Sequence, residues 1–136
     1  MSEFSDYSEK KIIDVLRGTN FTAPVTIYTA LFTTLAGLEL NNPTGEIATG
    51  GYVRQSCALD APGTTGTSKN STLISFPVAT AAWGTVSHVA LVDDPTATNW
   101  GTGVNVLMFS PLDTSRDVQN TDTFQIAQGS LTVIID

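Results

Sequence analysis

The side chains able to move protons or attack a carbonyl are few in this chain, and their spacing is poor for chemistry. Its single histidine, His88, lies in WGTVSHVALVDD (83–94), followed closely by Asp93 and Asp94. A Ser-His-Asp triad needs its nucleophile on a tight elbow, and the G-x-S-x-G pattern that marks one is absent. Cys57, the one cysteine, would need His88 within reach to form a dyad. It stands mid-strand between Ser56 and Ala58, where a small buried thiol is the usual meaning. Asp93 and Asp94 are neighbours, so on a strand they point to opposite faces and do not form the facing carboxylate pair of a glycoside hydrolase. Before Pro95 they predict an Asx-type turn at a strand's end. Oxygen ligands from such an acidic loop would suit a loosely held Ca²⁺, but EF-hand spacing is missing. The stretch GTTGTSKN lacks the P-loop pattern and joins two strands rather than a strand and a helix. The expectation is a protein that is not an enzyme, with no catalytic residue, cofactor or metal site, and with His88 a strand residue hydrogen-bonded to a neighbour.

Contact is the other kind of work these residues can do. Trp100, beside Asn99, lies in the polar loop TATNWGTG (96–103). A loop tryptophan serves as an interface anchor or a sugar platform, or else tucks under its own loop. Ile12, Val15 and Leu16 recur at i, i+3 and i+4 with Ile13 beside them, an apolar stripe expected to pack on the body of the protein or on a neighbouring subunit. Trp100, Asn99, Ile12, Val15 and Leu16 are the candidate interface residues.

The stripe requires a helix over 6–17. Asp6 is its expected cap, Glu9 completes a capping-box pattern, and Gly18 follows as a stop. From residue 21 the apolar period changes to two. Strands are predicted over 25–33, 52–60, 71–77 (ended by Pro77), 85–93, 104–110 (closed by Pro111), 117–127 (one strand or two) and 130–136. In the first of these, Val25, Ile27 and Leu31 share one face and Tyr28, Ala30 and Phe32 the other. Both faces are apolar, so the strand should be covered on both sides, with the helix as the second cover. In 85–93, strict alternation puts His88 on one face with Val86, Ala90 and Val92. The organisation read from this is an N-terminal helix and arm over 1–20 and a β-domain over 21–136. The fold class is all-β: a jelly-roll-like antiparallel β-sandwich of seven to eight strands with one N-terminal α-helix. An immunoglobulin-like sandwich is the runner-up.

Composition narrows the setting. A chain of 136 residues suits one domain with a real core. Only 14% of residues are charged, yet the net charge is −7, because there are just six bases. No Lys/Arg cluster exists to meet a phosphate backbone or an anionic membrane, so nucleic acid and membrane are not expected partners. One cysteine allows no intrachain disulfide and fits a reducing cytosol. The N-terminal MSEFSDYSEKK has no signal-peptide pattern, and no apolar run reaches membrane-spanning length.

Four stretches carry a resemblance that spans nearly the whole chain in order: FTAPVTIYTALFTT, GGYVRQSC, ISFPVATAAWGTVSHVALVDD and QGSLTVIID. Together they resemble a family of small tailed-bacteriophage virion proteins, variously described as tail fibre or capsid cement (decoration) proteins. The resemblance implies a jelly-roll-like sandwich and no catalytic residue, since the matching stretches are structural. Loops 36–49 and 95–103 look like this chain's own additions, where partner specificity is expected. It implies a structural virion protein made in the host bacterial cytoplasm. The leading expectation is a cement protein on the outer head surface, with the major capsid protein and further copies of itself (a homodimer or homotrimer) as partners. The alternatives are a tail fibre component that contacts the host and a carbohydrate-binding sandwich that uses Trp100.

Overall fold

A computed structural model describes residues 3–135. The described residues open with a two-residue strand β1 (Glu3–Phe4) and enter helix α1 (Asp6–Leu16). The cap is Ser5, not Asp6. Ser5 has extended backbone (φ −76°, ψ 159°), and its side chain accepts from the Ser8 backbone N–H, which satisfies one of the helix's unpaired amides. The Ser5 hydroxyl in turn donates to the Val106 carbonyl. Asp6 and Glu9 occupy the first turn, where negative charge suits the helix dipole. The expected stop at Gly18 is present as a Schellman motif. Gly18, at φ +85°, donates to Val15 O, and Thr19 donates to Asp14 O.

Five antiparallel strands form the main sheet, in the order β1-β7-β6-β2-β3. They are β2 (Ile27–Phe32), β3 (Gln55–Cys57), β6 (Gly84–Val92) and β7 (Val106–Val118), with β1 on the edge. β4 (Thr67–Lys69) pairs with β9 (Thr132–Ile134), and β5 (Ile74–Ser75) pairs with β8 (Gln125–Ile126). The architecture is all-β and antiparallel with one short helix, as the period-two pattern requires. Nine strands are described rather than seven or eight, because several are only two or three residues long. The last predicted strand extends to Asp136, which lies outside the described residues, as do Met1 and Ser2 of the N-terminal arm.

The main sheet is apolar on both faces, and a separate core lies on each. On one face Leu31, Val86, Leu91 and Met108 meet Ile74, Phe76, Phe124 and Val133 from the two-stranded ribbons and their flanks, which makes the sandwich. On the other face Ala30, Phe32, Ala90 and Val92 meet Leu38, Val104, Val106 and Phe109. β2 is covered on both sides as predicted, but its second cover is the loop residues Leu38 and Val104. The helix lies elsewhere, against β7 and β1.

Two predicted boundaries were wrong for one reason. Pro111 does not close a strand. β7 runs through it for thirteen residues and joins the separately predicted segments 104–110 and 117–118. Proline is tolerated because the β6–β7 ladder is irregular there: Val86 lies opposite Arg116, but His88 lies opposite Pro111. β7 spends five positions where β6 spends two. The same bulge breaks the alternation in β6, so Val86 joins the core of Val89 and Leu91, while Ala90 and Val92 join the other. His88 therefore does not share a core with Val86, as strict alternation had it.

Candidate functional site

The groups able to do chemistry are kept apart by the sheet. Cys57 pairs with Ile27 at one end of β2, and His88 with Phe32 at the other. Five residues of extended chain separate those positions, about 17 Å. The thiol is buried, and burial pushes its pKa up, away from a reactive thiolate. His88 is half-buried on β6 and shares a 2.8 Å hydrogen bond between its Nδ1 and Ser87 Oγ; burial lowers its pKa.

Asp93 and Asp94 turn the chain. Asp94 Oδ1 accepts from the amides of Thr96 (2.8 Å) and Ala97 (2.6 Å), the Asx-type turn expected before Pro95. Those two bonds hold its carboxyl below the usual range. Asp93 accepts from the Asn105 amide at 2.6 Å and from Asn105 Nδ2 at 2.8 Å, tying the far side of the same loop. Among the described residues, no group of three His, Cys, Asp or Glu is placed to hold a metal ion.

The two loops singled out in the sequence converge. A groove of about 470 Å³ is lined by Pro43, Thr44 and Glu46 from one and by Pro95, Thr96 and Trp100 from the other. Trp100 is half-buried and packs on the second core, 6.2 Å from Phe32 between ring centroids. The Arg54 guanidinium sits over its ring at 5.0 Å, a cation–π contact. Trp100 thus belongs as much to the wall of its loop as to solvent. Asn99 is exposed, and its carbonyl accepts from the Thr102 and Gly103 amides, folding the 99–104 turn. Trp83, by contrast, is core: buried, edge-on to Tyr52, with its indole N–H donating to Gly50 O at 2.9 Å.

Beneath the groove lies a polar network that sequence reasoning missed. Arg54 is 6% exposed, and Glu46 takes two of its N–H donors at 2.6 and 2.7 Å while Asp94 O takes a third at 2.8 Å. Tyr52 donates to Glu46 Oε1 and accepts from the Leu31 amide, both at 3.0 Å. Burial first, and the Glu46 charge second, push the Tyr52 phenol well above its usual pKa. Burial works against the Arg54 charge, but the bonds to Glu46 outweigh it and leave its pKa raised. An arginine inside an apolar strand pattern demands an acid partner. Glu46, eight residues upstream, was the signal that could have found the pair.

The interface candidates on the helix are exposed. Relative exposure is 42% for Ile12, 56% for Ile13, 52% for Val15 and 82% for Leu16. The stripe does not pack on the body of its own chain, so that half of the expectation is corrected. The only helix residue buried outright is Ser8.

A family model described as "Podophage GP4 fiber I protein gp80" matches residues 3–134, which covers both cores, the helix and all nine strands. The chain belongs to this family. A search of curated proteins finds no match. As a member of the gp80 fiber family, the chain is a structural protein of a bacteriophage virion. In this gp80-family member the exposed features include a convergent-loop groove floored by a neutralised ion pair and the apolar stripe of α1. No described helix is long and apolar enough to cross a membrane.

Proposed function

We propose that the chain is a fibre component of a podophage virion that works by contact and performs no turnover. The observation that carries this reading is the family match over 3–134, to a family described as a fiber protein. The separation of His88 from Cys57 and the use of both aspartates in turns support the non-catalytic part. A second reading, cementing of the head against the major capsid protein, is supported by the exposed α1 stripe, which a seam in a capsid lattice would also cover.

Imaging of intact virions separates the two. Density for this chain at the tail is the expected result, and regular copies across the capsid would replace the fibre reading with the cement one. Particles carrying His88→Gln and Cys57→Ala in folded protein should keep full infectivity. A loss of infectivity together with a measurable turnover in wild-type protein would remove the non-catalytic reading.

A further inference from the structure

We infer that the groove between the second half of β7 and the β8–β9 segment takes an extended, basic segment of another protein, which adds to the open edges of β8 and β9. The inference names a kind of partner, and it holds whether the chain serves at the tail or on the head.

The groove has a volume of about 810 Å³ and lies where β7 bulges away from β6. Its walls are short of ladder partners, and the register says which backbone groups are left over. β8 pairs with β5 at Ile74↔Ile126 and Ser75↔Gln125, and Phe76 donates to Phe124 O. Bonded positions alternate along an antiparallel ladder, so Phe124 and Ile126 face β5 while the N–H and C=O of Gln125 face away from it. β9 follows the same rule. It pairs with β4 at Lys69↔Thr132, and Asn70 donates to Leu131 O, so the backbone of Thr132 faces away from β4. Gln125 and Thr132 both line the groove. On the β7 wall, residues 112–115 have no ladder partner among the described residues. Open strand edges beside a groove are a template that an extended chain completes by adding as a strand.

The lining side chains set what that strand must carry. Leu112, Ile126 and Leu131 are half-buried in the walls and offer apolar footholds to alternate residues of a strand. The charged residues of the lining are Asp113, Asp117, Asp122 and Arg116, three negative against one positive, a sum of −2. None of the four belongs to a salt bridge among the described residues. Their charge is therefore left for a partner, and a strand bearing Lys or Arg complements it.

The bases of the chain itself rule against a second copy as the donor. There are six. Lys10 and Lys11 belong to α1, Arg17 is its C-cap, and Arg54 is buried against Glu46. Lys69 and Arg116 each stand more than ten residues from any other base. No extended segment of this chain carries two, so the basic strand comes from a different protein.

The test uses the full chain and a synthetic heptapeptide of alternating Lys and Val. Calorimetry should show binding that added salt weakens, and a heptapeptide of alternating Glu and Val should not bind. Asp113→Asn with Asp117→Asn should keep the fold, since both residues are exposed, and should weaken the Lys–Val peptide by about tenfold or more. Glu39→Gln with Asp60→Asn removes the same charge at residues that do not line the groove, and should leave binding unchanged. In the complex, the amides of Gln125 and Thr132 should exchange with solvent about tenfold more slowly or better. No binding at millimolar peptide, equal binding of the two peptides, an equal loss in the Glu39/Asp60 variant, or unchanged exchange at Gln125 and Thr132 would each overturn the inference.

Discussion

Arg54 is the residue whose removal should be felt most. Its partner Glu46 is only 16% exposed at the side chain, so taking the guanidinium away leaves a largely buried carboxylate with Tyr52 as its remaining donor. Arg54→Leu should cost about 3 kcal/mol or more. Glu46→Leu in the same chain should recover much of the loss, which a double-mutant cycle in denaturant would measure. Trp100 loses the cation over its ring in Arg54→Leu, so its fluorescence should change even in conditions where the protein stays folded. His88 offers a pH signature. The fold lowers its pKa below the ordinary value near 6.5, so the unfolded chain binds the extra proton first. Its contribution is therefore complete above that value and is lost as pH falls below it. Melting temperature should drop slightly between pH 7.5 and 5.5 in wild type and less so in His88→Gln; an equal drop in both would show that His88 is not the source. Much at this scale was legible in the sequence. The Asx turn follows from Asp-Pro, and the buried thiol follows from a cysteine inside a strand. The Arg54–Glu46 pair was not read, because an ion pair depends on which loop folds over which strand, and that is not a local property.

Elements show the same division between local and long-range causes. The helix and its stop were legible because a stripe and a following glycine are local signals. Its cap was misplaced by one residue, since both Ser5 and Asp6 are good caps and the choice was made by the Val106 carbonyl a hundred residues away. Ser5 therefore serves the helix and the sheet with one hydroxyl. Ser5→Ala should lose both hydroxyl bonds, at about 1–2 kcal/mol, and should loosen the helix start, which the Ser5 amide still ties to the Leu107 carbonyl of β7. Amide exchange of the first helical turn would report that loosening, and unchanged protection there would count against the dual role. The strand break predicted at Pro111 failed for a related reason. Proline donates no ladder bond, and here it stands at the edge of a register shift, where regular pairing gives way between Val86 and His88.

At the scale of the molecule, the sheet has two dry faces, and every strand through its centre must serve both cores. That made the all-β reading straightforward, since runs apolar on both faces with turns between them leave few other folds. The jelly-roll expectation drew on the strand pattern and on the resemblance together, while the pairing displays a five-stranded sheet with two ribbons. What covers the second face was misassigned to the helix because a sequence does not say that a loop residue such as Leu38 is fully buried. The break in alternation near His88 has a consequence for how such chains can change in length. Val86 and Val89 face the same core although three residues apart. Deleting Ser87 would bring them to a spacing of two, which plain alternation already satisfies. Deleting Ala90 instead would throw Leu91 and Val92 across to the wrong cores. The Ser87 deletion should yield soluble protein with a modestly lowered melting temperature, and the Ala90 deletion should yield none. If so, the 87–88 junction is a seam where one-residue gaps can open and close during evolution, while the four residues after it are locked in length.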